Sequence, residues 1–233
     1  MRRHTTTTLV LTTLAALALT GCSDGTSGPR GTSPAASAPR RGSDAVRAAP
    51  LSSAALNQRL LTEQDLGEGY VRKAEPAQHD EDVSVIGCPA LDQLGGEAAT
   101  GQGLDFPRKA KAAFTYDAGT TFEVSEEIYS DTAQKLSDGV GHIFDAMTYC
   151  PKYQVVSGST VIDMTTQEMA APRLGEERWS QLLTYSVGGQ RSTVKQTAVR
   201  TKTVIVVVAG SPALVDAHIR KAVTKATAAR RTG

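Results

Sequence analysis

The sequence predicts an α+β domain built on an antiparallel sheet, and three observations carry that prediction. Lys111 to Tyr116 and Thr121 to Ser130 alternate apolar and polar residues with period two, as strands with one wet face do. Between Asp131 and Tyr149 the apolar positions Ala133, Leu136, Val140, Ile143 and Met147, followed by Cys150, recur every three or four residues, as on one stripe of a helix. More strand-like segments follow, and a second amphipathic stretch closes the chain, so helices and strands come in runs.

The elements can be justified in order. Leu51 to Leu61 places Ala55, Leu56 and Leu60 at helical spacing, and Leu61-Thr62-Glu63-Gln64-Asp65-Leu66 forms a further turn stopped by Gly67 and Gly69. A strand is expected from Tyr70 to Lys73, and a polar loop at Asp80-Glu81-Asp82. Cys88-Pro89-Ala90-Leu91 opens a short helix, because proline suits a first helical turn. After the paired strands and the long helix come strands at Val155-Val156, Ser159 to Met169 and Glu177 to Val187. The dipeptide Gly188-Gly189 then turns tightly into Arg191 to Arg200. Val204 to Val208 is apolar throughout, as for a central strand covered on both faces or packed beneath a helix, and Ser211-Pro212 starts the last helix, with Leu214, Val215, Ile219, Ala222 and Val223 on its stripe.

The first 50 residues are of another kind. A basic start (Arg2, Arg3), a Thr-rich spacer and an apolar run from Leu9 to Leu19 lead to Leu19-Thr20-Gly21-Cys22, which reads as a lipoprotein signal peptide over 1–21 with Cys22 as the lipidated residue. The apolar run of about ten residues is short of the roughly 20 needed to span a bilayer. Arg2-Arg3 leaves both the general and the twin-arginine export route open. Residues 22–50, rich in Ser, Gly, Pro, Ala and Arg, read as a disordered stalk with a reach of about 30 Å. Residues 51–233 make the folded body, and the expected address is the outer face of the cell membrane.

Charge and cysteines narrow the class. Six Arg and two Asp lie in 1–50, so of the 25 basic and 24 acidic residues the body holds 19 and 22, a balance that argues against nucleic acid as a partner. With Cys22 acylated, Cys88 and Cys150 remain as an even pair in an oxidising compartment. Neither has a His or second Cys at metal-ligand spacing and no Cys-x-x-Cys is present, so a structural disulfide is expected and no metal site.

Leu60-Leu61-Thr62, Asp65-Leu66-Gly67, Gly69-Tyr70, the Cys88-Pro89-Ala90-Leu91 turn, Cys150 after the long helix, and Val204–Val208 with Gly210-Ser211 together resemble the sensor-type domain of secreted actinobacterial lipoproteins. That domain is related to the extracellular domain of a mycobacterial receptor Ser/Thr kinase. The resemblance spans about residues 51–229. It implies a disulfide-braced antiparallel sheet with helices packed mainly on one face, and a ligand bound in a cleft.

The histidines His79, His142 and His218 are accompanied by no Gly-x-Ser-x-Gly elbow or nucleotide loop, and Gly101-Gln102-Gly103 lacks a third glycine. His79-Asp80-Glu81-Asp82 reads as a solvated acidic loop rather than a cation site. Phe122, Tyr129, Trp179 and Tyr185 are the candidate ligand-binding residues, lining a cleft between the sheet and the long helix, with core packing as the competing role of each. The acidic residues Glu123, Glu126 and Glu127 are expected to share one exposed sheet face. The expected function is a non-enzymatic, membrane-tethered ligand-binding or sensor domain without a cofactor, its partner a small molecule. The alternative is an interaction lipoprotein presenting its sheet face to an envelope protein complex; an envelope enzyme with its catalytic groups assembled only in the fold is a third reading.

Overall fold

The structure is a computed structural model that describes residues 49–74, 83–95, 98, 106–117 and 121–228. The lipobox with Cys22, the stalk to Arg47, His79 to Asp82 and Gly101 to Gly103 lie outside the described residues. Two short helices, α1 (Ser53–Asn57) and α2 (Glu63–Leu66), precede strands β1 (Tyr70–Arg72) and β2 (Val83–Ile86) and helix α3 (Pro89–Leu94). Strands β3 (Lys109–Asp117) and β4 (Thr121–Ser130) lead to the long helix α4 (Ala133–Tyr149). Five strands follow: β5 (Lys152–Ser157), β6 (Thr160–Glu168), β7 (Glu177–Val187), β8 (Gln190–Thr201) and β9 (Val204–Gly210). Helix α5 (Pro212–Thr227) comes last.

The nine strands among the described residues form one sheet in the order β1-β3-β4-β9-β8-β7-β6-β5-β2, and every neighbouring pair is antiparallel. The α+β class, the antiparallel sheet and the Cys88–Cys150 bridge are as the sequence led us to expect. Gly188 and Gly189, with φ of 56° and 83°, form the two-residue turn joining β7 to β8, a conformation that glycine adopts without steric cost. Strand β2 was not legible in the sequence. It has four residues, and its partner β5 is remote in the chain, so pairing rather than propensity makes it a strand.

The helices are not gathered mainly on one face. Val204, Val206 and Val208 of β9 pack with Leu56, Leu60, Leu61 and Leu66 of the α1–α2 region and with Val215, Ile219 and Ala222 of α5. Ile205 and Val207 point the other way, against Leu136, Val140 and Phe144 of α4. Alternation along a strand sends neighbours to opposite faces, so β9 is covered on both sides, which explains its unbroken apolar run. Each fully buried Val or Ile there contributes about 1.5–3 kcal/mol.

Local signals set the helix ends. Thr62 and Asp65 form a reciprocal capping box at α2, and the Thr132 hydroxyl accepts from the Lys135 N–H at the start of α4. Ser211 occupies the N-cap of α5 without a side-chain hydrogen bond, and Pro212 behind it supplies the helix-ready backbone. Cys150 is the C-cap of α4 and Cys88 the N-cap of α3, so the bridge ties two helix ends together beneath Leu91 and Met147.

One acidic residue is not where the pattern placed it. Glu123 and Glu127 do share one face of β4, paired with Lys73 and Lys111 at 2.5 and 2.8 Å, but only Glu123 is exposed, whereas Glu127 is largely covered beside Tyr129. Glu126 has the opposite parity and is 1% exposed, inside the core between Val124 and Ile128.

Candidate ligand cleft

Along α4 the apolar stripe faces the sheet, while Ser137, Asp138, Gly141, His142 and Asp145 line one flank at spacings of three and four. That flank overhangs the start of β7, where Glu176, Glu177, Arg178 and Trp179 complete an open cleft of about 570 Å³. The cleft lies between the long helix and the sheet face that carries Trp179, while Tyr185, expected on the same wall, is not among its lining residues. Its lining is more polar than expected.

The floor is held by ions. Arg200, near the end of β8, donates from Nε to Glu177 at 2.6 Å and from Nη1 to Glu176 at 2.7 Å. The Ser137 hydroxyl donates to the other Glu177 oxygen at 3.0 Å, which fastens α4 to the sheet. The Arg200 hydrogen bond, with the Ser137 hydroxyl added, holds the Glu177 carboxyl below the usual carboxylate range despite burial. Arg200 itself is held more firmly protonated by the same two carboxylates. Asp145 and His142 stay exposed, and Asp138 accepts from Gln134 at 2.8 Å. The cleft therefore offers hydrogen-bond acceptors and negative charge beside an indole, a surface suited to a ligand with donors or positive charge.

The four aromatic candidates are not brought together. Trp179 borders the cleft, half-buried, with its ring 6.1 Å from that of Phe144. Tyr185 lies about 20 Å further along β7, packed against the cluster of Met147, Tyr153 and Leu183, where burial pushes its hydroxyl up to about 12. Tyr129 is fully buried against Phe106, ring centroids 5.7 Å apart. Phe122 has the parity of Val124 and Ile128, so it sits on the other face of the sheet, 41% exposed. Sequence reading passed over Ser137, Asp138, Asp145 and Arg200. A signal for Arg200 was present: counting back from the Gly188-Gly189 turn pairs Glu177 with Arg200.

Of the histidines, His142 faces the cleft, and His218 on α5 meets the Tyr70 hydroxyl at 2.5 Å. Burial, with Lys221 nearby, disfavours the charged form of His218. Among the described residues no group of three or more His, Cys, Asp or Glu is arranged to hold a metal ion, and no helix is long and apolar enough to cross a membrane.

Among the described residues, an antiparallel nine-stranded sheet clasped by helices on both faces, with two helix ends joined by the disulfide, defines an α+β fold. The structure is similar to the extracellular domain of PknH from Mycobacterium tuberculosis, with a TM-score of 0.56 at 13% identity over 76% of this chain and 97% of that one. At that identity the likeness is one of fold. A putative uncharacterized protein from Mycobacterium smegmatis, the Rv0999 ortholog, aligns at 13% identity over 74% of this chain and 96% of its own, but its TM-score of 0.36 carries no argument. No family model matches the chain, and no curated protein matches it in sequence.

Proposed function

We propose that this protein is a non-enzymatic binding or sensor domain, held at the outer face of the cell membrane by lipid on Cys22, that takes a small ligand in the α4–β7 cleft. The observation that carries the reading is the cleft itself: Trp179 and the exposed carboxylates of Asp138 and Asp145 stand over a floor locked by Arg200, Glu176, Glu177 and Ser137. Such a floor pre-organises a site, because its polar groups are already oriented before a ligand arrives. The fold shared with a receptor kinase's extracellular domain supports the sensor reading, and the lipobox and stalk support the address.

Thermal shift of the mature chain with soluble cell-wall fragments, lipid headgroups and polyamines tests the site. A stabilising shift in the wild type that disappears in Asp145→Asn and Trp179→Phe is expected; no shift with any of these probes overturns it. Fractionation tests the anchor: the wild type stays with membranes and takes up labelled palmitate, whereas Cys22→Ser is released. Equal release of both proteins would remove the tether.

A second reading has its own observation. Among the described residues the sheet face opposite α4, across β7, β6, β5 and β2, carries no helix, and Val161 and Ile86 stand 49% and 54% exposed there. An envelope protein docked on that face would be recovered by crosslinking through Val161→Cys in intact membranes, and absence of any reproducible adduct counts against it.

A further inference from the structure

The buried Glu126 does not belong to the cleft. Its strand neighbours are Ala112 on β3 and Val208 on β9, and it lies within the apolar cluster under α1, α2 and α5. Oε2 accepts the Leu61 N–H at 2.6 Å, while Oε1 is buried without a partner. A buried carboxyl with one donor is poorly compensated as an anion, since desolvation disfavours the charged form.

The charges facing it from neighbouring elements do not replace that missing donor. Asp65 of α2 and Lys225 of α5 pair with each other, and Lys221 reaches the Asp65 carbonyl. Arg72 of β1 lies over the Phe114 ring at 5.9 Å, and Arg59 donates to the Ala226 carbonyl at 2.6 Å. His218 is engaged with Tyr70, and β3 and β9 present only Ala112 and Val208 beside the carboxyl. Burial is the leading influence and raises the Glu126 pKa to about 7; the Leu61 N–H and Lys225 counter it only in part.

We propose that Glu126 is a pH-sensitive latch on the α1–α2 segment: the segment stays closed over β3 and β4 while the carboxyl is neutral, and loosens when it ionises. Lifting Leu61 off the sheet lets water reach the carboxylate, so opening relieves the cost of the buried charge. Glu126 and the α4–β7 cleft share no residue, and neither site depends on the other.

Hydrogen exchange on the mature chain, corrected for intrinsic rates, tests it at about pH 5 and about pH 8.5. Protection in residues 51–66 is expected to fall about 10- to 100-fold more than in β7 and β8 as pH rises. Glu126→Gln, which keeps an acceptor for Leu61 without a charge, should remove that difference. Equal protection at both pH values in the wild type, or the same pH dependence in Glu126→Gln, overturns the latch. Should the variant fail to fold, carbon NMR of the wild-type Glu126 carboxyl decides: titration near neutrality supports the latch, and titration in the ordinary glutamate range overturns it.

Discussion

Arg200 and Glu177 face each other as register partners on β8 and β7, joined by a 2.6 Å hydrogen bond beneath the α4 flank. The pair links the strand that carries Trp179 to the strand beside β9, while Ser137 links it to the helix above. Helix, sheet and cleft floor are thereby one construction. Loss of Arg200 leaves Glu176 and Glu177 without their shared cation.

The sign of the pH effect at this pair follows from the depressed Glu177 carboxyl. Its contribution is complete above the unfolded glutamate pKa and is lost as pH falls through the lower folded value. Arg200→Gln is therefore expected to lower stability by about 1–2 kcal/mol near neutral pH and by much less in strong acid. Urea midpoints of both proteins across that range provide the check.

The disulfide joins the cap of α3 to the cap of α4 across a sequence separation of 62. Replacing both Cys88 and Cys150 by Ser should cost about 4 kcal/mol by the chain-entropy argument. An unchanged urea midpoint would show that the reduced chain holds those ends together unaided.

Two glycines of α4 should respond in opposite directions. A Cβ on Gly139 would stand 2.7 Å from the Phe106 ring, so Gly139→Ala is expected to destabilise by about 1–3 kcal/mol. Nothing lies within 4 Å of a Cβ on Gly141, and there alanine should stabilise by about 1 kcal/mol through helix propensity. Thermal denaturation of the two variants side by side reads the difference.

The four aromatic residues also separate by burial. Tyr129→Ala, in the core beside Phe106, should cost about 3–5 kcal/mol, whereas Phe122→Ala, on the far face, should stay within about 1 kcal/mol. Trp179→Phe should leave stability nearly intact while weakening binding at the cleft. A binding loss in Phe122→Ala instead would move the site to the opposite face.

Much of the fold was legible in residues 109–228 because strong periodicity and a Gly-Gly turn fix element type and register locally. Phe122 and Glu126 show where that legibility ends. Both lie in a strand whose alternation is plain, but alternation tells which residues share a face and not which face will be covered. Glu126 shares its face with Val124 and Ile128, and its proximity to Glu123 and Glu127 in sequence masked that parity. Strand β2 escaped for a related reason: its hydrogen bonds go to β5, far along the chain.

By itself, then, the sequence determined the class of fold, the long helix, the β7–β8 hairpin, the disulfide partners and the expectation of a lipidated Cys22, all of which depend on local pattern or on counting. The tertiary structure decided that helices clasp both faces of the sheet, that Trp179 alone of the four aromatics borders the cleft, and that Arg200 underlies it. It also decided that a carboxyl lies closed in the core. Those facts arise where two elements distant in sequence share one surface, and no local pattern encodes which surfaces will meet.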